Sequence, residues 1–270
     1  MSLRDMSPRD IAARALAVDV SEVVSVERIK HGLTNESWLV RTPADAVVVR
    51  LSSRHGASLQ IDRLAEAIVL DDVGANGIGP PVLAWDLTRG ALVTRYLGPT
   101  CAPELLHSPA YIERLGRVFR ALHALPIRPG VREVHLPSVI GGYLETLHTL
   151  GETAGTNADI SARALSLAAD IAASSRPCLC HNDVHHLNIV EGEALYLIDW
   201  EYAGIGESFF DLASVCVYHE YSLAERALLL RAMLGEPPTP SQLERLAKCC
   251  WLFEYVRDLW TKVRAAVDTR

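Results

Sequence analysis

The feature that most constrains this sequence is a polar loop followed closely by a short apolar segment that ends in an aspartate. The loop, residues 180–188, contains His181 and Asp183 and closes with an asparagine five residues after that aspartate. The apolar segment, residues 194–198, places Asp199 eleven residues beyond the asparagine. Either pattern alone recurs by chance, but the two in this order require a fold that brings a loop and a strand end to one place.

Together the two patterns predict a site for phosphoryl transfer. In such sites an aspartate accepts or orients the proton of the attacking hydroxyl group, and we assign this catalytic role to Asp183. The asparagine and the second aspartate offer hard oxygen ligands, so Asn188 and Asp199 are the predicted magnesium ligands. ATP and magnesium are therefore the predicted cofactors.

Two residues are predicted to support the site without taking part in the reaction. His181 is expected to hold the catalytic loop by hydrogen bonds. Asp211 lies in the first turn of a predicted helix that Ser208 is expected to cap, where a carboxylate is favoured by the positive end of the helix. We expect Asp211 to support the catalytic loop.

The first part of the chain is β-rich. Runs of β-branched residues predict strands, and apolar residues at helical spacing predict one main helix. The strands are predicted at 23–30, 37–42, 46–51, 81–85 and 91–96, and the helix at 59–73. Ser7 followed by Pro8 predicts the start of an earlier helix, with Ser7 as its cap.

After residue 98 the sequence changes to long amphipathic helices. They are predicted at 109–124, 138–151, 159–175, 208–219, 222–234 and 240–268, with short β segments near 178–180 and 194–199. The expected fold class is α+β, with two lobes as in protein kinases. Residues 1–96 would form a small antiparallel nucleotide-binding β lobe with one main helix. Residues 97–270 would form a larger, mostly helical lobe with the catalytic loop, metal site and acceptor pocket.

Two regions of the β-rich part are candidates for binding the nucleotide. Thr34 and Asn35 lie in a loop between predicted strands, where side chains and backbone N–H groups can surround phosphates; a plain hairpin loop is the alternative. Arg50 stands in a strand where protein kinases carry a lysine, and its guanidinium can hold phosphate oxygens. Its expected partner is Glu66, with Asp62 as the alternative.

Several motifs resemble the aminoglycoside phosphotransferase and choline kinase superfamily. They are residues 181–183 with Asn188, residues 198–204 and residues 210–213. Residues 199–204, together with 32–35, are most similar to the choline/ethanolamine kinase and thiamine kinase branches. The resemblance covers nearly the whole chain. It implies a kinase-like fold, an ATP site between the lobes, and transfer of the γ-phosphoryl group to a hydroxyl group of a small molecule.

The resemblance also implies a hinge that binds adenine through backbone atoms, around Thr94, Tyr96 and Leu97. An arginine at position 50 recurs in the same branch, so it is compatible with activity. One departure concerns the acceptor. Residues 97–100 read Leu-Gly-Pro-Thr, where choline kinases usually show a glutamate–glycine pair after the hinge.

A cationic acceptor would require aromatic rings and carboxylates. Trp200 and Glu201 follow the catalytic segment, and Tyr255 and Asp258 lie on one face of the last predicted helix. We predict these four residues as acceptor-binding, which would suit choline, ethanolamine or a thiamine-like molecule. Core packing is the alternative for aromatic residues at helical spacing.

Composition excludes several other classes of protein. The formal net charge of -7 and the pI of about 5.8 argue against a nucleic-acid partner. The first ten residues carry charges rather than a signal peptide, and no apolar run is long enough to predict a membrane partner. The six cysteines lack zinc-ligand or redox C-x-x-C spacing, which favours reduced thiols in the cytoplasm. The predicted partner is a small-molecule acceptor, and the sequence does not indicate an oligomeric state.

Three rival functions are compatible with parts of the sequence. An antibiotic kinase of the same superfamily would need a wide, strongly acidic pocket for a polycationic sugar. A catalytically silent binding module would be expected to have lost one of the three residues assigned to catalysis and metal binding, and all three are present. A metal hydrolase would use His181 and Asp183 with His185 and His186, but would leave the β-rich part unexplained. The roles of the last two histidines stay open.

Overall fold

The computed structural model describes residues 6–30, 35–52, 56–88, 90–152 and 156–268. Within these ranges, the first part of the chain forms one antiparallel sheet. Its strands are β1 (Ser25–Ile29), β2 (Glu36–Arg41), β3 (Ala46–Leu51), β4 (Val82–Asp86) and β5 (Ala91–Arg95). They lie in the order β1-β2-β3-β5-β4, so β3 occupies the centre of the sheet.

The central strand β3 presents two different faces. Successive side chains of a strand point to opposite sides of the sheet. Val47 and Val49 are fully buried on one side, in the cluster that includes α1 (Pro8–Leu16). Arg50 lies on the other side, next to α2 (Arg63–Ala75) and a cavity. The alternation of side chains along β3 therefore directs Arg50 toward the space between the sheet and the helical part of the chain.

Both helices of this part begin at side-chain caps. In α1, Ser7 and Asp10 form a capping box at the predicted position. Helix α2 begins at Arg63, four residues later than predicted, because Asp62 accepts hydrogen bonds from two backbone N–H groups of the first turn at 3.0 Å. Asp62 is thus occupied as a cap, and Glu66 is the acid that faces the sheet.

Six α-helices make up most of the described chain after residue 100. They are α3 (Pro109–His123), α4 (Leu136–Thr149), α5 (Ala158–Ala173), α6 (Ser208–Tyr218), α7 (Leu223–Leu234) and α8 (Pro240–Asp268). Two small antiparallel sheets of two strands each lie among them, one pairing β6 (Cys178–Cys180) with β9 (Gly204–Gly206) and one pairing β7 (Ile189–Glu191) with β8 (Leu195–Leu197). Strands β7 and β9 were not predicted, because β7 directly follows the polar loop and β9 contains two glycines, which are depleted in strands. The segments next to these strands carry the residues predicted for catalysis and metal binding.

Helix α3 supplies much of the helical core. Ile112, Leu115, Phe119 and Leu122 recur at helical spacing and are fully buried, while the small residue Gly116 lets α7 approach closely. None of the helices in the described ranges combines the length and the apolar character that crossing a membrane requires.

We expect Gly116→Ala to lower the free energy of unfolding by about 1–3 kcal/mol, because overpacking forces neighbouring backbone to move. A Cβ at this position would overlap Ala232 and lie 3.0 Å from the carbonyl oxygen of Leu229. Gly141→Ala in α4 is the matched control, since a Cβ there meets no neighbouring atom within 4 Å. It should stabilise the helix by up to about 1 kcal/mol. Urea unfolding followed by circular dichroism measures both, and equal losses would contradict a tight α3–α7 contact.

Candidate active site

The loop between β6 and β7 projects Asp183 into the cavity between the sheet and the helices. The preceding residue, Asn182, adopts the left-handed conformation with φ of +68°, which asparagine tolerates better than most residues. Its side-chain amide donates to the carbonyl oxygen of Tyr202 at 3.0 Å and holds the turn. The Asp183 carboxylate accepts a hydrogen bond from the hydroxyl of Tyr218 at 3.0 Å.

One fully buried carboxylate, Asp211, anchors this loop. Its Oδ2 accepts from the backbone N–H of His181 at 3.1 Å and its Oδ1 from the backbone N–H of Asn182 at 2.6 Å. The Nε2 atom of His123 lies 2.9 Å from Oδ2. Because an ionised carboxylate only accepts, this nitrogen carries the imidazole proton. Asp211 therefore fixes the two residues that precede Asp183.

The helix that carries Asp211 has a different cap from the one expected. Glu207, and not Ser208, caps α6, and its Oε1 accepts from the backbone N–H of Phe209 at 3.1 Å. The Glu207 carboxylate is held in place by Arg245, with which it forms an ion pair. A glutamate paired in this way outcompetes the neighbouring serine for the free N–H groups of the first turn.

His181 connects the catalytic loop with the segment after β8. Its Nε2 atom donates to the carbonyl oxygen of Ile198 at 2.9 Å, and its ring packs on Trp200 with ring centres 4.6 Å apart. Burial lowers the pKa of His181 below its usual value, although the nearby Asp211 opposes this shift. The ring is therefore neutral, with a proton to donate at Nε2.

Asn188 and Asp199 lie beside Asp183 on the cavity wall. The side-chain nitrogen of Asn188 donates to the backbone carbonyl of Asp183 at 2.8 Å, which leaves its side-chain oxygen for another partner. The backbone N–H of Ile198 donates to the carbonyl of Asn188 at 3.0 Å and brings Asp199 close. Asp199 has a φ of +64°, a strained conformation typical of functional sites. An amide oxygen and a carboxylate are the donors that fit magnesium.

Arg50 connects the sheet to this part of the site. Its Nη1 lies 3.0 Å from Asp199 Oδ1, and its Nη2 lies 2.6 Å from Glu66 Oε1. The side chains of Arg50 and Glu66 are 9% and 0% exposed. Burial alone would lower the pKa of Arg50, but the surrounding carboxylates outweigh it and raise the pKa. The guanidinium is therefore permanently charged at the cavity wall.

A second arginine extends the network toward the predicted phosphate loop. Arg63 Nη1 lies 2.7 Å from Glu66 Oε2 and 3.0 Å from Glu201 Oε2, and its Nη2 donates to Asn35 Oδ1 at 2.9 Å. The amide of Asn35 also donates to Glu201 Oε2 at 2.8 Å. Thr34, the other residue predicted in that loop, lies outside the described residues.

Three carboxylates of the cavity have raised pKa values. Burial raises the pKa of Asp183 to about 7, with Glu201 adding to the shift and the Tyr218 hydroxyl opposing it. Burial and the charge of Asp199 raise the pKa of Glu201 to about 7 against the opposing arginines. Burial also raises the pKa of Asp199, although Arg50 acts in the other direction. A site with buried carboxylates of this kind favours a bound cation.

The two histidines without an assignment support the loop. The Nδ1 atom of His185 accepts from the backbone N–H of Leu187 at 3.3 Å, and burial lowers its pKa to about 3. The backbone N–H of His186 donates to Nε2 of His219 at 3.2 Å, and burial lowers the pKa of His219 to about 4. Both His185 and His219 are therefore neutral acceptors of backbone hydrogen bonds.

The cavity has a volume of about 590 Å³ and two chemically different ends. At one end lie Val48 and the predicted hinge residues Thr94, Tyr96 and Leu97. The other end is aromatic, and its rings belong to Tyr143, Tyr202, Tyr218, Phe253 and Trp260. Asp183, Asn188 and Asp199 line the same cavity.

Two of the four predicted acceptor residues, Tyr255 and Asp258, lie away from the cavity, whereas Trp200 and Glu201 are among the residues that line it. Trp200 is fully buried in the core. Tyr255 and Asp258 are not among the residues that line the cavity. The Tyr255 hydroxyl is hydrogen-bonded to the hydroxyl of Ser161 on α5 at 2.8 Å, and Asp258 pairs with Lys262 on the surface at 2.6 Å. These contacts leave a different face of α8 to the cavity.

That face was not assigned from the sequence. It consists of Phe253, Val256, Arg257 and Trp260, which follow the i, i+3, i+4, i+7 pattern of one helical stripe. The Arg257 guanidinium lies over the Tyr218 ring at 5.4 Å. The spacing of this stripe was available in the sequence. The sequence also places Arg63 three residues before Glu66, a spacing that allows an ion pair on a helix, but no local motif indicated that Arg63 belongs to the site.

A sequence model of the phosphotransferase enzyme family (APH) matches residues 25–246. Comparison with curated protein sequences found no match.

Several solved structures are similar to this one. A choline/ethanolamine kinase family protein from Mesorhizobium loti has a TM-score of 0.77 and 26% identity, with 96% of this chain and 87% of that chain covered. Choline kinase LicA from Streptococcus pneumoniae, also solved in complex with AMP, has a TM-score of 0.78 and 23% identity over 95% and 90% of the two chains. Spectinomycin phosphotransferase has a TM-score of 0.57 and 13% identity over 89% and 84%. These likenesses support the two-lobed kinase-like fold.

Asp211→Asn should destabilise the catalytic loop, because an amide group presents N–H donors to partners that also donate. We expect a loss of about 1–3 kcal/mol in the free energy of unfolding. We also expect faster hydrogen exchange at the backbone N–H groups of His181 and Asn182. Asp258→Asn, which removes an exposed acid, is the control and should change the free energy of unfolding by less than about 0.5 kcal/mol. Unchanged exchange at both amides in the Asp211 variant would refute the anchoring role.

Proposed function

This chain belongs to the phosphotransferase enzyme family and is a small-molecule kinase, and we propose that it transfers the γ-phosphoryl group of ATP to a hydroxyl group of an acceptor bound in the cavity. The observation that carries this proposal is that Asp183, Asn188 and Asp199 line one cavity, with Asn188 hydrogen-bonded both to Asp183 and to the residue before Asp199. Asp183 can accept a proton, and Asn188 and Asp199 offer oxygen atoms that can bind a metal ion.

Asp183 takes the role of the proton acceptor. Tyr218 donates to its Oδ1 atom and orients the carboxylate, so Oδ2 is the oxygen that remains to receive the proton of the acceptor hydroxyl. The loop that carries Asp183 is held by Asp211 through two backbone hydrogen bonds. The catalytic oxygen is therefore positioned before the acceptor arrives, which is how most of the barrier is lowered in this chemistry.

Asn188 and Asp199 would hold magnesium. The donor set fits the ion, since an amide oxygen and a carboxylate line the same cavity as Asp183, and the raised pKa of Asp199 indicates that the site favours added positive charge. When bound, magnesium neutralises charge on the phosphate oxygens. Arg50 stands beside Asp199 and offers its guanidinium to the nucleotide phosphates.

The nucleotide would occupy the end of the cavity lined by the sheet. Thr94, Tyr96 and Leu97 lie at the place where the chain leaves β5, and we assign the adenine to this segment. We assign nucleotide binding to residues 1–96 and the catalytic loop, metal site and acceptor pocket to residues 97–270. The AMP complex of LicA supports a nucleotide at a fold of this kind. The six cysteines are free thiols, and we propose the reducing cytoplasm as the compartment.

The aromatic end of the cavity would hold the acceptor. Tyrosine and tryptophan rings attract ammonium groups by about 0.5–2 kcal/mol per contact. The similar structures include proteins named choline and choline/ethanolamine kinases, which favours choline, ethanolamine or a thiamine-like molecule. An antibiotic sugar is a weaker candidate, because the acids Glu66 and Glu201 are already paired with Arg50 and Arg63.

One observation favours a second acceptor class. Arg257 forms no salt bridge with the described carboxylates, and its guanidinium lies over the ring of Tyr218, whose hydroxyl donates to Asp183. A guanidinium at this place repels a quaternary ammonium group and attracts a carboxylate. A hydroxylated amino acid such as homoserine would satisfy both the aromatic rings and this cation.

Two variants separate the role of the base, Asp183, from that of the metal ligand, Asp199. Asp183→Asn should lower the turnover number by about 10²–10⁴-fold with little change in the Kd of Mg-ATP, because the base does not bind the nucleotide. Asp199→Asn should also raise the Kd of Mg-ATP by at least about tenfold. Calorimetry measures the Kd and ADP release measures turnover. Asp170→Asn, on an exposed face of α5, is the control. Near-normal turnover in either variant would overturn the role assignments.

A panel of small molecules tests which acceptor is phosphorylated. ADP release from Mg-ATP should depend on one member of a panel of choline, ethanolamine, thiamine, homoserine, methylthioribose and kanamycin. Arg257→Gln should lower the KM of choline if choline is the acceptor and raise the KM of homoserine if homoserine is, because the charge of the side chain acts in opposite directions on the two. Binding of Mg-ATP with no turnover across the panel would favour a silent module. Absence of nucleotide binding would reject the kinase function.

A further inference from the structure

We propose that His123, Cys178 and Cys180 form a binding site for one thiophilic metal ion, with zinc as the best fit, beneath the catalytic loop. The candidate ligand atoms of the three side chains lie within 4.8 Å of one another. None of the three residues lines the cavity described above. The site is therefore separate from the oxygen ligands assigned to magnesium.

The two thiols already have the separation that a shared ion requires. Cys178 and Cys180 stand two residues apart in β6, so their side chains point to the same face of the strand. Their sulfur atoms are 3.7 Å apart. Two sulfurs that each lie about 2.3 Å from one tetrahedral zinc ion are about 3.8 Å apart. The strand thus presents both ligands without a change of backbone.

His123 supplies a nitrogen that has no other partner. Its Nε2 atom donates to Asp211 at 2.9 Å, so in the neutral imidazole the lone pair is on Nδ1. This Nδ1 atom is buried and makes no hydrogen bond within the described part of the chain, and the side chain as a whole is only 9% exposed. Buried polar atoms without a partner are rare and call for an explanation. A metal ion at Nδ1 would provide one.

The surroundings of His123 have the arrangement found at known metal sites. A ligating histidine usually donates its other ring N–H to a carboxylate, which fixes the ring and its tautomer. Asp211 has this position relative to His123. The orientation of His123 is therefore evidence that does not depend on the thiols, because Asp211 fixes the direction of the unpartnered Nδ1 atom by itself.

The chemistry of the ligands selects the kind of ion. Two thiolates and an imidazole favour zinc over magnesium or calcium, which prefer oxygen. Cys180 is fully buried, but Cys178 is partly exposed, so an ion can enter beside Cys178 and keep a water molecule as its fourth ligand. The spacing Cys-x-Cys, with a histidine 55 residues upstream, differs from the usual sequence patterns of zinc sites, which explains why the sequence did not indicate it.

The experiment is a cobalt titration of the full chain without a polyhistidine tag, after treatment with a chelator. Cobalt in a tetrahedral site with thiolate ligands shows charge-transfer and visible bands that report its ligands directly. We expect saturation at one cobalt per chain and displacement by zinc. Cys178→Ser and His123→Gln should each weaken binding by at least about 100-fold and abolish the thiolate bands.

Cys250→Ser is the matched control. Cys250 also has a neighbouring thiol, that of Cys216, but no third ligand joins this pair within the described residues. The control should bind cobalt as the wild type does. Zinc should also slow hydrogen exchange at the backbone N–H groups of His181 and Asn182, which Asp211 connects to His123.

Three results would overturn the site. They are the absence of saturable binding by the wild-type chain, binding without thiolate bands, and binding that Cys178→Ser retains. Thermal unfolding of each variant separates loss of the ligand from loss of the fold. If His123→Gln unfolds because Asp211 loses its partner, the Cys178 variant alone decides, since its side chain is only partly buried and outside the Asp211 contacts.

Discussion

The site depends on one buried ion pair, which joins Arg50 of the central strand to Glu66 of α2. Removal of either partner would leave the other buried with one remaining partner, Asp199 for Arg50 or Arg63 for Glu66, and would cost up to about 3–5 kcal/mol. The pair also aims the second nitrogen of the guanidinium at Asp199, 3.0 Å away. Strand β3, helix α2 and the end of the β7–β8 hairpin are therefore joined through the side chain of Arg50. These contacts fix the position of the three elements around the cavity.

The same pair explains the electrostatic state of the cavity. Arg50 faces more carboxylate charge than it can neutralise, and the pKa values of Asp183, Asp199 and Glu201 are raised as a result of burial and of their mutual proximity. Arg63 removes part of this excess by binding Glu201. What remains is concentrated at Asp183 and Asp199. A divalent cation is the simplest group that would stabilise both in their charged forms.

Local signals in the sequence predicted much of this arrangement, and long-range contacts account for what was missed. Caps such as Ser7 and the strand–helix relation of Arg50 and Glu66 lie within short stretches of chain, so their spacing carries the information. The contact of Asn35 with Glu201 joins residues 166 positions apart, and no local pattern specifies it.

Helix α8 shows the same limit in another form. It carries two stripes at helical spacing, and both satisfy an amphipathic pattern. The hydrogen bond of Tyr255 to Ser161 on α5 turns one stripe away from the cavity, and the other stripe, with Trp260 bound to the hydroxyl of Tyr202 at 2.7 Å, faces it. The choice between the stripes is made by the packing of neighbouring helices, which the periodicity of one helix does not contain.

Asp211 connects the catalytic loop with the proposed metal site. Only one of its two carboxylate oxygens contacts the histidine of that site. Oδ2 is shared by His123 and the N–H of His181, whereas Oδ1 receives the N–H of Asn182. A metal ion at Nδ1 would make the opposite N–H of the imidazole a stronger donor. The stronger bond would hold Oδ2 more firmly, so the backbone of His181, which donates to the same oxygen, would be stabilised before that of Asn182. Because His181 also donates to the carbonyl oxygen next to Asp199, such a response would reach both the base and the metal ligand without any contact to the acceptor.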